Sequence, residues 1–332
     1  MIEKKNRSAG KKELIWQLAI LLVIAAVLIL IKEMHLVSTS VLLILQFIGI
    51  YSILVLGINI VNGYLGVFSL AHAGFMAIGA YVSAYLSKFI FMDNSSMFIV
   101  SILAGAIVAL LVGIVVAIPS FNTKGDYLAI ITLGFTLIVQ SVLQNAGFLG
   151  ASKGMNNIPK FTNLYWVFGC LVFTVILVNK FIYSKYGRSL KAIREDETAA
   201  ELVSVNVRRI KTIAFAFSAF LIGISGALIA HLLGYTSPSA YGFNNIVDGL
   251  VMVYLGGMGS IVGSIFGSAA WQLIVQLLKN LGTWRWVVGG ILLIVVMIFL
   301  PRGVFGNMEL KDVIRKAKEK INGRKTREEH SK

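Results

Sequence analysis

From Val41 to Val61 the chain carries no charged side chain, and stretches of the same kind recur almost to its end. About 20 consecutive apolar residues are what a helix needs to cross the hydrocarbon layer of a bilayer. No water reaches backbone N–H and C=O groups there, so each such stretch must close its own hydrogen bonds as a helix. The stretches are Leu14–Ile31, Val41–Val61, Val67–Ser87, Met97–Ile118, Tyr127–Phe148, Leu164–Tyr183, Thr212–Leu233, Asn245–Gly257, Ile261–Leu278 and Trp284–Leu300. They predict an all-α integral membrane protein of about ten transmembrane helices. Asn245–Gly257 is short, and reads as a tilted, broken or re-entrant span whose backbone must be covered by protein or a water-filled cavity. A soluble core is excluded by composition: 57% of residues are hydrophobic and 14% charged, against roughly 45–50% and 25% in soluble domains.

The cations supply the orientation. With the N-terminus inside, 24 of the 30 Lys and Arg residues fall on inner segments, in residues 1–13, at Lys124, from Lys180 to Lys211 and from Arg302 onward. Lys32, Lys88, Lys153, Lys160, Lys279 and Arg285 fall outside. That excess satisfies the positive-inside rule, and an even number of spans places both termini in the cytoplasm. The net charge of +15 therefore reads as membrane topology and not as a nucleic-acid surface. The expected organisation is a basic cytoplasmic N-terminus (1–13), a membrane domain (14–306) containing a cytoplasmic loop (184–211), and a charged cytoplasmic tail (307–332). Leu14–Ile31 is long for a signal-peptide core and no small-residue cleavage site closes it, so it is expected to be a retained span. The tail reads as a basic anchor near anionic lipid, with Leu310, Val313, Ile314 and Ala317 on one helical face. The single cysteine, Cys170, allows no intrachain disulfide.

What the spans lack is equally informative. Of the 15 acidic residues only Asp248 lies within a span, and Lys and Arg keep to span ends. Ion-coupled carriers, pumps and voltage sensors place ionisable groups inside the membrane. A chain without them that drives uphill transport must take its energy from elsewhere. It carries no phosphate-binding loop of its own: Gly256–Gly267 is glycine-rich but has no lysine. Gly259, Gly263 and Gly267, four apart, suit close helix packing, as do Ala71, Gly74, Ala77 and Gly79. No catalytic residue, metal ligand set or cofactor is expected.

The longest inner loop runs from Tyr186 to Lys211. Leu190, Ile193, Ala200 and Val203 recur at helical spacing beside a mixed-charge cluster, Arg194-Glu195-Asp196-Glu197. A short helix with one apolar side and a charged rim suits a groove on a cytoplasmic partner. A solvated amphipathic loop fits the same pattern.

The stretch Gly187-Arg-Ser-Leu-Lys-Ala-Ile-Arg-Glu-Asp-Glu-Thr-Ala-Ala-Glu201 resembles the coupling loop of bacterial ABC importer permeases, and more narrowly the LivM-type permeases of branched-chain amino acid transporters. Four further blocks agree in order: Asn62–Tyr81, Lys124–Phe135, Val253–Ser260 and Pro301–Gly303. The resemblance implies an all-helical permease subunit paired with a second, homologous permease. Two cytoplasmic ATPase subunits and an extracytoplasmic substrate-binding protein would complete the system. It implies that Arg194, Glu195, Asp196, Glu197, Ala199, Ala200 and Glu201 dock into an ATPase cleft and pass ATP-driven closure to the spans. The implied function is uptake of branched-chain or related small amino acids; permeases for urea and short amides are the nearest alternative, and an ion-coupled carrier is a rival from another class. The chain departs from the family pattern at Ala71 and Ser204, where relatives usually carry Gly, and at Gln140, where a basic residue is common.

Candidate pathway or gating residues are Ser69, His72, Gly74, Asp126, Asn145 and Asp248. A lone intramembrane histidine such as His72 more often holds structure than ligand. Asp126 is placed to cap the helix that begins at Tyr127. Asp248 is costly unless it faces a cavity or a polar partner, and a passing zwitterion's amino group is one such partner. Asn244 and Asn245 are placed to serve similarly. Trp16, Trp166, Trp284 and Trp286 read as interfacial anchors or packing.

Overall fold

A computed structural model describes residues 38–92, 94–121, 127–278, 282 and 284–299. The stretch Leu14–Ile31, Asp126, Pro301–Gly303 and the charged tail lie outside the described residues. The helices are α1 (Thr39–Ile58, continued by a π-helical segment Asn59–Leu65), α2 (His72–Tyr85, continued by π-helical Leu86–Ile90), α3 (Phe98–Ser120) and α4 (Tyr127–Asn145). They continue with α5 (Leu164–Ile182), α6 (Lys185–Glu195), α7 (Glu197–Leu202), α8 (Val207–Leu233), α9 (Phe243–Gly256), α10 (Ile261–Leu277) and α11 (Trp284–Phe299). A two-residue antiparallel pair, β1 (Met155–Asn156) with β2 (Tyr235–Thr236), ties the loop after α4 to the end of α8.

Every expected span from Val41 onward coincides with a helix, and six are long and apolar enough to cross a membrane. α9 has 14 residues, roughly 21 Å at 1.5 Å per residue, well short of the ~30 Å hydrocarbon layer. The short eighth span is therefore a short helix. The core is built around α8, whose most apolar window is 83% buried, against 22% for that of α4. Small residues let the backbones close in: a Cβ on Gly223 of α8 would meet Ala106 and Ala109 of α3 at 2.9 Å. Lipid tails are as apolar as leucine, so such packing rather than hydrophobic burial holds spans together.

Two span starts differ from expectation by five residues, each for a local reason. The span expected from Val67 begins at His72. Gly66 turns the chain with φ +77°, and residues 66–71 run irregularly back into the protein. The span expected from Thr212 begins at Val207, because Asn206 caps it by accepting a hydrogen bond from the Arg209 N–H at 3.0 Å. Arg208, Arg209 and Lys211 thus belong to the first turns of α8 and not to a loop. The expected four-residue glycine series is corrected as well. Gly259 stands outside α10 with φ +81°, while Gly256 of α9 and Gly263 and Gly267 of α10 meet where those helices cross.

Candidate functional site

The charged loop folds as two helices where one was expected. Ser184 caps α6, accepting from the Tyr186 N–H at 3.1 Å, and Leu190 and Ile193 are buried on its inner face. Arg194 lies with its stem against Gly66, and the Lys191 ammonium stands 6.0 Å from the Tyr64 ring centroid. α6 therefore rests on the π-helical end of α1. The chain then breaks at Asp196, which is extended (φ −157°, ψ 113°) and caps α7 by accepting from the Ala199 N–H at 3.0 Å. Glu197 pairs with Lys211 of α8 at 2.7 Å, and Ala200 is buried, so α7 is fastened at two points. Glu195, Ala199 and Glu201 face solvent.

Val203 was expected on the buried side with Leu190, Ile193 and Ala200, and is instead 72% exposed, beside Leu202 at 83%. α7 ends at Leu202, and the chain turns away at Ser204 in a left-handed conformation, φ +63°. Leu202 was not singled out from the sequence. The available signal was adjacency: Leu202 sits two residues after Ala200, a spacing that does not share a helix face with it. The conformation of Ser204 also gives a physical reason why glycine suits this position. Ser204→Gly is expected to stabilise the chain by about 0.5–1 kcal/mol, read as a raised thermal midpoint in detergent.

Two stretches beside the π-helical end of α1 leave helical geometry, residues 66–71 and 257–260. Their backbone groups must be met by protein. Asn62 donates to the Ser69 carbonyl and accepts from the Ser69 N–H, both at 3.3 Å. Thr132 accepts from the Leu70 N–H and Thr136 donates to the Leu70 carbonyl, both at 3.0 Å. Asn59 accepts from the Gly259 N–H at 2.7 Å and donates to the Ser260 carbonyl at 3.0 Å and the Ser264 hydroxyl at 2.7 Å. The π-helical segment thus carries the two asparagines that hold both irregular stretches.

His72 opens α2 immediately after the first of these and is 3% exposed. Its Nε2 lies 3.2 Å from the Ile246 carbonyl in the first turns of α9, and it packs against Gly249, where a Cβ would approach Nε2 to 2.6 Å. Ser69 and His72 share the wall of a void of about 10 Å³, near the size of a single water. Gly74 admits Phe135 and Thr136 of α4 at close range, which is a packing role. Asn145 donates to its own Ser141 carbonyl at 2.8 Å on an exposed turn, and it is not brought to the others.

Asp248 is elsewhere on α9. It accepts a hydrogen bond from the Trp271 indole N–H of α10 at 3.1 Å and lines a cavity of about 480 Å³ between α1, α9 and α10. Asn244 and Asn245, also singled out from the sequence, line it too. Among the described residues no cluster of His, Cys, Asp or Glu is arranged to hold a metal ion.

Residues 40–301 match a family model described as the permease component of branched-chain amino acid transport systems. The chain is 31% identical over 290 residues to the high-affinity branched-chain amino acid transport system permease protein LivM of Escherichia coli K12, covering 77% of this chain and 67% of that protein. It is 25% identical over 298 residues to the permease protein LivH of the same strain, covering 79% and 93%. It is 24% identical over 292 residues to the permease protein BraD of Pseudomonas aeruginosa, covering 79% and 94%. No solved structure matches the chain.

Proposed function

The chain belongs to the family of branched-chain amino acid transport permease components, a LivM-type member, and from that premise we propose how it works within such a system. It is a multi-pass protein of the bacterial inner membrane and a permease subunit of an ABC importer. Its cargo is branched-chain amino acids. Its role is transport and not covalent chemistry. Ten spans, with both termini in the cytoplasm, agree with the cation distribution.

A second, homologous permease completes the membrane unit. LivM and LivH of one Escherichia coli strain are both permease proteins of a high-affinity branched-chain amino acid system, and this chain is similar to each. Two cytoplasmic ATPases and an extracytoplasmic binding protein supply energy and substrate.

The observation that carries the coupling reading is α7. It is capped by Asp196, fastened by Glu197 and Ala200, and turns Leu202 and Val203 outward. An apolar pair of this kind, rimmed by charge, fits a groove on an ATPase subunit. Displacement of α7 would reach the membrane interior through α6, Gly66 and the π-helical segment to Asn59 and Asn62. Those asparagines hold the irregular stretches before α2 and α10, which makes Ser69 and His72 gating residues by position.

Deleting the gene from its host is expected to lower uptake of radiolabelled leucine, with recovery on re-expression. Unchanged leucine uptake together with lost urea uptake would move the assignment to the urea and amide permeases.

A further inference from the structure

The outer segments after α1 hold Lys88, Lys153, Lys160, Lys279 and Arg285 against one acid, Asp93. Lysines on short outer loops work against the charge bias that orients a membrane protein, so cations gathered there call for a use. Three of them meet on the β1–β2 clasp. Lys88, near the end of the π-helical extension of α2, donates to the Asn156 carbonyl of β1 at 2.7 Å. The Lys153 carbonyl accepts from the Tyr235 hydroxyl of β2 at 3.4 Å. The Lys160 stem lies across Gly234, where a Cβ would come within 2.6 Å of it. Lys153 and Lys160 are exposed, and the Lys88 ammonium keeps two further N–H groups to donate. The acids among the described residues are Asp248, which meets Trp271, and Glu195, Asp196, Glu197 and Glu201 of the cytoplasmic loop. None of them belongs to the clasp.

The clasp is also held more firmly than a connecting loop needs to be. The Ile158 N–H donates to the Gly234 carbonyl at 3.0 Å, and the Thr162 hydroxyl to the Leu228 carbonyl of α8 at 2.9 Å. Tyr81 of α2 donates to the Thr236 carbonyl at 3.4 Å. His231 of α8, fully buried, has its Nδ1 2.8 Å from the Pro159 carbonyl. A carbonyl only accepts, so Nδ1 carries the proton and Nε2 accepts from the Ser83 hydroxyl of α2 at 3.0 Å. Ser87, one turn on, donates to Ser101 of α3 at 2.8 Å. One polar joint beneath the clasp thus ties α2, α3 and α8 together.

We propose that this clasp is a landing surface for the extracytoplasmic binding protein, on which Lys88, Lys153 and Lys160 meet surface carboxylates of that partner. Opposite charges steer the encounter and fix its register. A surface already ordered loses little freedom on docking, which favours a rigid protein partner. Anionic headgroups, by contrast, are bound as well by a loose polybasic segment. The polar side chains of Ser152, Asn156 and Asn157, exposed beside the lysines, suit the rim of a protein interface. Through the joint at His231, docking on the clasp bears on α2, the helix whose other end begins at His72. The proposal rests on the transport reading above, which supplies the partner, and assigns that partner its place on this chain.

Titration of the fluorescently labelled binding protein against the purified complex of both permeases and both ATPases, in phosphatidylcholine nanodiscs, tests it. Wild-type binding is expected to weaken at least about tenfold as salt rises from roughly 50 to 500 mM. Lys153→Glu with Lys160→Glu is expected to weaken binding at least about tenfold at the lower salt and to remove most of the salt dependence. Carbodiimide cross-linking, which joins carboxylates to lysines in contact, needs no variant. In the docked wild-type complex it is expected to link Lys153 or Lys160 to an Asp or Glu of the binding protein. Equal binding by the assembled double variant overturns the proposal, as does a docked wild-type complex that gives no such link. A double variant that docks normally but no longer co-purifies with phosphatidylglycerol would give the lysines to lipid instead. Failure of the transport reading would show separately, as a wild-type transporter that takes up no leucine.

Discussion

Replacing Leu202 and Val203 together with aspartate is expected to abolish leucine uptake while leaving the permease folded and inserted. Both side chains are largely exposed, at 83% and 72%, so the isolated chain loses almost nothing by the change. Docked against an ATPase groove, each would contribute about 1.5–3 kcal/mol through burial. Losing both, and asking two carboxylates to enter an apolar groove, removes at least about 3 kcal/mol, or more than a hundredfold in affinity. The readout is co-purification of the ATPase subunits with the permease, alongside uptake. Undiminished co-purification would remove α7 from the interface. Glu197 is a poorer probe, since its partner at 2.7 Å is Lys211 of the same chain, and its loss would unfasten α7 as well as alter its surface.

A second large effect is expected inside the membrane. Asn59→Leu removes three hydrogen bonds from a residue that is 1% exposed, and leaves the Gly259 N–H without its acceptor. The branched side chain also meets Gly63, which already lies close to the Asn59 amide. A cost of about 2–4 kcal/mol follows, a large share of the 5–15 kcal/mol that holds a typical domain together. The expected outcome is a sharp fall in detergent-stable protein. Ser52→Ala is the comparison, because it loses the hydroxyl contact with Ser268 at 2.6 Å and the bond to the Ile48 carbonyl of its own helix at 2.7 Å, strands no backbone N–H, and is expected to cost about 1 kcal/mol. Equal stability of the two variants would show that the irregular stretch before α10 is not held by Asn59.

The helices were legible in the sequence because lipid permits so few alternatives: an apolar stretch of sufficient length has to be a helix, and only its ends are negotiable. The ends moved where a single side chain decided them, as at Asn206, or where a left-handed glycine turned the chain, as at Gly66. Periodicity misplaced Val203 because it assumed one helix through Asp196, and a capping side chain can end one helix and start another within a single residue. Asp248 stood out as the one acid within an expected span, and the structure places it against the Trp271 indole and on the wall of a cavity. Asn59 and Asn62 did not stand out as holders of backbone: Asn62 meets Ser69 only because the chain turns at Gly66, and nothing in the local pattern of α1 announces the contacts of Asn59 some 200 residues away.

The most direct measurement is accumulation of radiolabelled leucine in proteoliposomes that contain this chain, its partner permease and both ATPases, with binding protein and leucine on one side and ATP on the other. ATP is expected to drive accumulation above the external concentration, and Leu202→Asp with Val203→Asp to abolish it. Accumulation that proceeds without ATP, or persists when the ATPase subunits are left out, would contradict a permease driven through α7.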